Sequence, residues 1–271
     1  MKLPPGWQVP AFGIDELAPR GTRFCIGIPV IDEGDRIRRQ LAEMQALPLE
    51  ADVVVADGGS SDGSVEPAFL SEVGVRTLLT KTGPGRLSAQ LRMLFAYALV
   101  EGYEGVIAID GNRKDGLEGL FAVRRALEEG YDFVQGSRYV RGGSHSNMPL
   151  DRTLGLRLVH APLLSLAARF RYTDTTNGLR GWSRRLLLDP RVAPFRNVFD
   201  TYNLHYYLAV RAPRLGYRVC EVPARREYPT QGPTPTKIRG LGSRLHIMKL
   251  LLLTVAGVYD PPATAGREKV S

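Results

Sequence analysis

The chain has little cysteine: Cys25 and Cys220 are the only two among 271 residues, and both lie in apolar runs. Cysteines in such surroundings are typical of buried thiols in a reducing compartment, which argues against a disulfide-stapled domain and a cysteine-based metal site. The first ten residues hold three prolines and no apolar core of a signal peptide. The longest apolar stretch near the end, residues 250–258, is about half a bilayer span. The sequence therefore predicts a cytoplasmic protein.

Several nucleotide-binding motifs are also missing. No Gly-x-Gly-x-x-Gly follows the first apolar run, which disfavours a dinucleotide-binding fold, and the absence of a Gly-x-x-x-x-Gly-Lys-Ser/Thr motif excludes a P-loop NTPase. The net charge of +8 and the pI near 9.6 favour anionic partners such as nucleotide phosphates, lipid phosphates or an acidic membrane face. The basic residues form no block of five and no aromatic-interleaved run, so nucleic acid is not expected as a partner.

Short apolar runs alternate with segments of helical periodicity in the first half of the chain. Strands are predicted at residues 24–31, 52–56, 73–79, 105–109 and 133–135, and helices at 32–47, 87–101 and 117–130. This alternation is typical of right-handed crossovers in a mostly parallel sheet. Beyond Arg138 we expect helices at residues 154–170, 202–214 and 245–259 and a strand at 217–222. The predicted fold is α/β and Rossmann-like, a mostly parallel central sheet flanked by helices, with a C-terminal helical extension.

Composition divides the chain further. We expect an N-terminal arm or edge extension at residues 1–22, one α/β domain at 23–227, a proline- and glycine-rich mobile loop at 228–242, an amphipathic helix at 243–260 and a flexible tail at 261–271. The amphipathic helix suits a membrane surface, a partner or the protein's own core equally well.

Four polar clusters follow predicted strands. They lie at residues 29–33, 57–64, 110–116 and 136–139. Each cluster taken singly has a structural explanation as a helix cap or a turn. Ligands bind at the carboxyl ends of strands in open α/β sheets, and charges of one sign on one rim are destabilising unless a ligand or a metal offsets them. The convergence therefore predicts a ligand site there, to which the glycine-rich turn at residues 81–86 adds backbone N–H groups for a phosphate.

The ordered series of motifs resembles the family 2 glycosyltransferases of GT-A fold. The series is Ile28-Pro-Val-Ile-Asp-Glu33, Val55-Ala-Asp-Gly-Gly-Ser-Ser-Asp-Gly-Ser64, Ile109-Asp-Gly-Asn112 and Gly136-Ser-Arg-Tyr139. Later segments are similar to the dolichol-phosphate mannosyltransferase branch, which uses polyprenyl-phosphate acceptors. They are Arg141-Gly-Gly143, Arg157, Asp174-Thr-Thr-Asn-Gly-Leu-Arg180 and Glu221-Val-Pro223. The resemblance covers about residues 24–260, which makes 23–227 the expected GT-A catalytic domain.

The resemblance implies a donor site for a nucleoside-diphosphate sugar of UDP or GDP type. The implied nucleotide-sugar-binding residues are Pro29, Asp32, Glu33, Asp57, Lys81, Asp110, Gly111, Arg226 and Lys237. Asp110 and Asn112 occupy the Asp-x-Asp place that holds Mg²⁺ or Mn²⁺ against the diphosphate. Asn112 departs from the pattern, because a neutral amide is a poorer ligand for a hard cation than a carboxylate. Asp115 and the diphosphate could complete the metal site, or Arg113 and Lys114 could replace part of its charge.

The implied reaction is an inverting sugar transfer. The implied catalytic residues are Asp110, Arg138, Arg157 and Asp174. A phosphate acceptor is already ionised and would be held by Arg138 and Arg157, whereas a hydroxyl acceptor needs a base, for which Asp174 and Asp200 are candidates. The expected acceptor is a polyprenyl phosphate, with the protein peripheral on the inner membrane face and a homodimer as an option.

Other functions remain open on the residues alone. One is sugar transfer to a hydroxyl of a soluble small molecule or glycan. Another is a non-catalytic nucleotide-sugar-binding protein, since Asn112 interrupts the metal motif. A sugar-nucleotide pyrophosphorylase is disfavoured, because residues 29–34 are acidic where that class places a glycine-rich basic loop.

Overall fold

The computed structural model describes residues 1–229 and 240–262. The strands are β1 Phe12–Glu16, β2 Phe24–Val30, β3 Asp52–Asp57, β4 Val75–Lys81, β5 Gly105–Ala108, β6 Phe133–Ser137, β7 Ser144–Ser146, β8 Arg180–Ser183, β9 Val219–Pro223 and β10 Arg225–Glu227. The helices are α1 Asp35–Gln45, α2 Pro67–Glu72, α3 Leu87–Val100, α4 Glu118–Glu128, α5 Leu150–Gly155, α6 Ala161–Ala168, α7 Arg184–Leu188, α8 Asn203–Arg214 and α9 Gly240–Val255. A π-helical turn, Leu156–His160, joins α5 to α6.

Eight strands form one mixed sheet in the order β1-β4-β3-β2-β5-β8-β6-β9. The four strands β4, β3, β2 and β5 pair in parallel, as β6 does with β9, whereas β1 and β8 run antiparallel to their neighbours. Strands β7 and β10 form a separate two-stranded parallel ribbon. The predicted α/β class and its central sheet flanked by helices are confirmed.

Successive residues of the buried strands pack into two hydrophobic cores on opposite faces of the sheet. In β2, Cys25 packs with the core around α3 and α8, while Ile26 and Ile28 pack with the core around α1 and α4. This alternation follows from the twofold side-chain period of a strand. Gly27 permits the close approach of α3, because a Cβ there would lie 2.1 Å from Leu94 Cδ2.

Two strands of the eight-stranded sheet, β1 and β8, were not predicted, and neither were the two short strands β7 and β10. β1 lies within residues 1–22, the expected N-terminal arm or edge extension, and pairs with β4 at the sheet edge. β8 lies between β5 and β6, yet its sequence Arg-Gly-Trp-Ser has no apolar run. Its burial depends on Trp182 and on the buried Arg180, which donates to the backbone carbonyls of Thr175, Asn177 and His205.

The expected C-terminal features are partly within the described residues. The final helix is α9, and the Arg244 guanidinium lies 2.8 Å from the Asp151 carboxylate at the start of α5. Most of the expected loop at 228–242 and tail at 261–271 lie outside the described residues. In the part of the chain that is described, none of the helices has the length and apolar character needed to cross a bilayer.

Candidate active site

The carboxyl ends of β2 and β3 are joined by hydrogen bonds around Asp57. This residue ends β3 and is almost fully buried. Its carboxylate accepts hydrogen bonds from the backbone N–H groups of Gly59 and Ser60 and from the Ser60 hydroxyl, at 2.5–3.1 Å. The Ser60 hydroxyl oxygen also accepts the N–H of Asp32 at 3.0 Å. Asp57, predicted to face the base or the ribose, thus shapes the loop that borders the expected nucleotide pocket.

The other residues predicted for the nucleotide pocket lie at the same edge. Asp32 is exposed, has a positive φ of 46°, and accepts the backbone N–H of Ser61 at 2.9 Å. Glu33 pairs with Arg36 at 2.9 Å, and Pro29 is half-buried in β2. The fold therefore brings this part of the predicted donor site together.

Two buried glutamines that the sequence reasoning missed fix the strand ends. Gln90 on α3 donates to the carbonyls of Val30 and Ala56 at 2.8 and 2.9 Å. Gln40 on α1 donates to the Asp110 carbonyl and accepts the N–H of Arg113 at 2.9 Å. Buried backbone groups need such partners. The available signal for Gln40 was a polar amide beside Leu41 on the buried face of α1.

Asp110 lies next to a guanidinium from a distant strand. Arg226 Nη2 donates to Asp110 Oδ2 at 3.0 Å, while Arg226 Nη1 donates to both Asp115 carboxylate oxygens at 2.7 Å. Arg226 and Asp115 are buried. Burial raises the pKa of Asp110, but Arg226 and Lys114 outweigh it and hold that pKa below its usual range. Arg226 is thus shared by two carboxylates at the centre of the predicted donor site.

Asn112 and Lys114 complete this cluster. The Asn112 side-chain amide donates to Asp110 Oδ2 at 3.3 Å, and its carbonyl oxygen accepts the backbone N–H of Lys114 at 3.3 Å. Lys114 is buried, and burial together with the charge of Arg226 lowers its pKa to about 8. Gly111, another predicted donor-site residue, packs against the sheet, since a Cβ there would lie 3.0 Å from Val30 Cγ2.

Arg138 and Asp174 form a buried bidentate ion pair. Arg138 Nε and Nη2 donate to the two Asp174 oxygens at 2.6 and 2.8 Å, and Nη2 also donates to the Thr176 hydroxyl. Burial raises the pKa of Asp174, but Arg138 outweighs it and holds that pKa below its usual range. A low-pKa carboxylate with both oxygens engaged is a weak base. This geometry favours a positioning role for Asp174 over that of the general base, for which the sequence offers it as one of two candidates if the acceptor is a hydroxyl.

Tyr228 links these two clusters and was missed by sequence reasoning. Its hydroxyl accepts a hydrogen bond from Arg138 Nη1 at 3.2 Å. Its ring lies 5.8 Å from the Arg226 guanidinium, 5.7 Å from Lys114 Nζ and 5.9 Å from the Arg152 guanidinium. Cations at such distances from a ring face are attracted by its quadrupole. The sequence feature that could have indicated Tyr228 is the presence of an aromatic residue directly before the proline-rich segment.

Arg157, predicted to bind a phosphate, lies on the π-helical turn and is exposed. Its guanidinium is 5.6 Å from the Tyr139 ring, and Arg138 lies 5.8 Å from the same ring. The predicted residues Arg138, Arg157 and Asp174 are therefore neighbours, with Arg157 the exposed member.

Two further predicted residues stand apart from these clusters. Lys81 ends β4, and its ammonium donates to the Gly83 carbonyl at 2.8 Å within the glycine-rich turn. Lys237 lies outside the described residues.

Comparison with known proteins gives the following relatives. No family profile matches the chain. The chain is 26% identical over 229 residues to polyprenol monophosphomannose synthase of Mycolicibacterium smegmatis, covering 81% of this chain and 83% of that protein. It is also 26% identical over 199 residues to undecaprenyl-phosphate mannosyltransferase of Micrococcus luteus, covering 72% and 80% of the two chains.

Solved structures share the fold. Glucosyl-3-phosphoglycerate synthase of Mycobacterium tuberculosis in complex with Mn²⁺, UDP and glucosyl-3-phosphoglycerate matches with a TM-score of 0.59 at 17% identity, covering 90% of this chain and 82% of that one. The same enzyme with Mg²⁺ and UDP matches with a TM-score of 0.60 at 19% identity, with the same coverage. These neighbours hold a divalent cation together with a nucleotide.

Proposed function

Since the chain is a family 2 glycosyltransferase of GT-A fold, we propose that it transfers a sugar from a nucleoside-diphosphate sugar to a polyprenyl phosphate. The assignment of a phosphate acceptor rests on the arrangement of side chains around Arg138. Asp174, one of the two candidate bases for a hydroxyl acceptor, is engaged in an ion pair with Arg138, while Arg152 and Arg157 lie against the rings of Tyr228 and Tyr139. The names of the two mannosyltransferase relatives support the same acceptor class.

The donor is expected at the carboxyl ends of β2, β3 and β5. The loops carrying Asp32 and Asp57 would border the nucleoside, and the cations Lys114 and Arg226 would face the diphosphate. In the reaction the bond between the anomeric carbon and the diphosphate oxygen breaks, and its electron pair leaves with the nucleoside diphosphate. Fixed positive charge beside that leaving group stabilises the charge that develops in the transition state. A single displacement of this kind inverts the anomeric centre.

The acceptor phosphate supplies the attacking oxygen already ionised, so no base is required. Arg157 is exposed and suited to contact a phosphate, because a guanidinium binds phosphate oxygens through paired N–H groups. The Arg138 guanidinium already donates hydrogen bonds to Asp174 and Thr176. We therefore assign Arg138 the role of holding Tyr139 and Tyr228 in place, and not that of binding the phosphate.

A divalent cation at Asp110 and Asn112 stays a prediction, and the donors present fit it poorly. Mg²⁺ and Mn²⁺ prefer carboxylate oxygens. Here Asp110 Oδ2 accepts hydrogen bonds from Arg226 and from the Asn112 amide. Among residues 1–229 and 240–262, no three His, Cys, Asp or Glu side chains gather as a metal site.

Exposed leucines next to Arg157 support an acceptor held at a membrane surface. Leu150, Leu154 and Leu158 recur every four residues along α5 and the π-helical turn, and all three are exposed. On the neighbouring α9, Leu245 and Leu252 are exposed as well. Exposed apolar side chains flanked by basic ones are typical of segments that lie on anionic bilayers. We propose that this surface brings the site to the lipid.

The test is transfer of labelled sugar from GDP-mannose or UDP-glucose to undecaprenyl phosphate in anionic vesicles, measured as label in the organic phase. The matched acceptor is undecaprenol, which lacks the phosphate. We expect label only with the phosphate. Transfer to undecaprenol, or to 3-phosphoglycerate but not to the lipid, would refute the proposed acceptor.

Arg157→Gln is expected to raise the KM for the lipid phosphate by about tenfold or more, as loss of a charge-assisted contact does. The matched control is Arg169→Gln, an exposed arginine at the C-terminal end of α6, which should keep the wild-type KM. Leu154→Asp and Leu158→Asp together should abolish flotation of the protein with anionic vesicles, while nucleotide binding persists.

A further inference from the structure

The position beside Asp110 is held by a protein cation. Arg226 spans Asp110 and Asp115, with its two terminal nitrogens 2.7–3.0 Å from carboxylate oxygens of both. With Lys114 buried in the same cluster, two positive side chains balance two carboxylates. A divalent cation on Asp110 would lie beside the Arg226 guanidinium, which already donates to Oδ2, and the two positive charges would repel each other.

The orientation of Asn112 suits this arrangement. Its carbonyl oxygen accepts the Lys114 N–H, which turns the amide nitrogen toward Asp110 Oδ2. An amide can donate a hydrogen bond to a carboxylate, whereas an ionised aspartate at this position could not. Asn112 thus stabilises the Asp110 charge as a donor, a role opposite to that of a metal ligand.

The backbone fixes Arg226 in this place. Its strand, β10, pairs with β7 in the register Arg226 to His145. On the other side, Gly116 N–H donates to the Arg225 carbonyl at 2.9 Å and Glu227 N–H donates to the Lys114 carbonyl at 2.8 Å. Asp115 and Arg226 form a bridge across this junction. Arg226 is therefore built into the same backbone junction as the Asp110 turn.

We propose that Arg226 replaces the divalent cation at Asp110, so that the donor diphosphate is bound and stabilised by Arg226 and Lys114 without a metal. The inference rests on the proposed donor, a nucleoside diphosphate. It predicts a protein that binds UDP or GDP equally well with and without a divalent cation and binds no Mn²⁺ at Asp110.

The experiment measures two equilibria on the full chain. Calorimetry gives the Kd of UDP and of GDP in EDTA and in excess Mn²⁺, and electron paramagnetic resonance of Mn²⁺ gives metal binding with and without nucleotide. For the wild type we expect Kd values within about threefold between EDTA and Mn²⁺ and no stoichiometric Mn²⁺ binding. A Kd more than about tenfold weaker in EDTA, or one Mn²⁺ bound per chain with nucleotide, overturns the inference.

Variants make the test specific. Arg226→Met should weaken nucleotide binding in EDTA by about tenfold or more, and the matched Arg225→Met should leave it unchanged. Arg225 is the preceding residue on β10, is exposed, and pairs with Glu118 outside the cluster. Arg226→Gln combined with Asn112→Asp should gain Mn²⁺ binding.

Arg226→Lys is the second variant, to be used if Arg226→Met does not fold. It keeps the positive charge but cannot donate to Asp110 and Asp115 at once as the guanidinium does. Its nucleotide binding in EDTA should also weaken, and wild-type affinity in this variant would count against the inference. A wild type that binds neither nucleotide in either condition removes the donor assignment and the inference with it. Mn²⁺-dependent binding, in contrast, leaves the donor assignment standing and overturns the metal-free inference alone.

Discussion

Replacing Asp174 by Asn separates a positioning role from a catalytic one. The Asp174 carboxylate is fully buried and accepts hydrogen bonds from the Arg138 guanidinium and from the backbone N–H and hydroxyl of Thr176. The substitution keeps the shape, removes the negative charge, and leaves the Arg138 cation buried without a counter-charge. Removing one partner of a buried ion pair costs about 3–5 kcal/mol of the free energy of unfolding.

The expected decrease in Tm is this free energy divided by the unfolding entropy, which scales with the length of the chain. At about 2.1 cal/mol/K of unfolding entropy per residue, 271 residues give about 0.6 kcal/mol/K. The Tm of Asp174→Asn should therefore fall by about 5–9 °C, as measured by calorimetry or circular dichroism. Replacing both partners, Arg138→Met with Asp174→Leu, should recover part of this loss, because no unpaired charge is left buried.

The matched control is the exposed pair of Arg23 and Glu104, whose nitrogen and oxygen lie 2.6 Å apart. Exposed pairs contribute about 0–1 kcal/mol, so Glu104→Gln should lower the Tm by less than about 2 °C. If Asp174→Asn melts within about 2 °C of the wild type while sugar transfer is lost, the positioning role is wrong and Asp174 becomes a candidate general base again.

Two further predictions concern buried groups near the site. Burial lowers the pKa of His160 to about 4, below its unfolded value of about 6.5. The stability that its neutral form contributes is therefore fully present above pH 6.5 and is lost as the pH falls toward 4. His160→Asn, which keeps a partner for the Thr175 hydroxyl, should flatten the dependence of Tm on pH across this window; an unchanged slope would contradict the assignment. Gly178→Ala should weaken UDP or GDP binding by about tenfold or more, because the added Cβ would lie 2.3 Å from Asp110 Oδ1. Gly155→Ala, with no atom within 4 Å of the added Cβ, is the control, and equal binding by the two variants would refute the reasoning.

Sequence reasoning succeeded where local pattern and burial coincide. β2, β3 and β5 are apolar runs buried on both faces of the sheet, and such runs are recognisable without knowledge of their neighbours. The polar residues that follow them lie at one edge because parallel strands share a direction. β8 could not be predicted in this way, since its first three residues are buried only through β5 and β6 and through the hydrogen bonds of Arg180 to backbone carbonyls.

The partner of Asp110 shows the same limit at the level of a single charge. The sequence offered Arg113 and Lys114 as replacements for part of the metal's charge, and it named Arg226 as a donor-site residue without pairing it with Asp110. Of the first two, Lys114 does lie in the Asp110 cluster. The positive φ of Arg113, 55°, accompanies a guanidinium paired with Glu43 on α1, away from Asp110. The cation that donates a hydrogen bond to Asp110 is Arg226, which lies 116 residues after Asp110 in the sequence. The pairing of β10 with residues 114–116 brings it to the site. Strand pairing decides which cation reaches a carboxylate. A motif that lacks its second carboxylate, as Asp-Gly-Asn does here, can therefore be complemented by a charged residue from a distant part of the sequence.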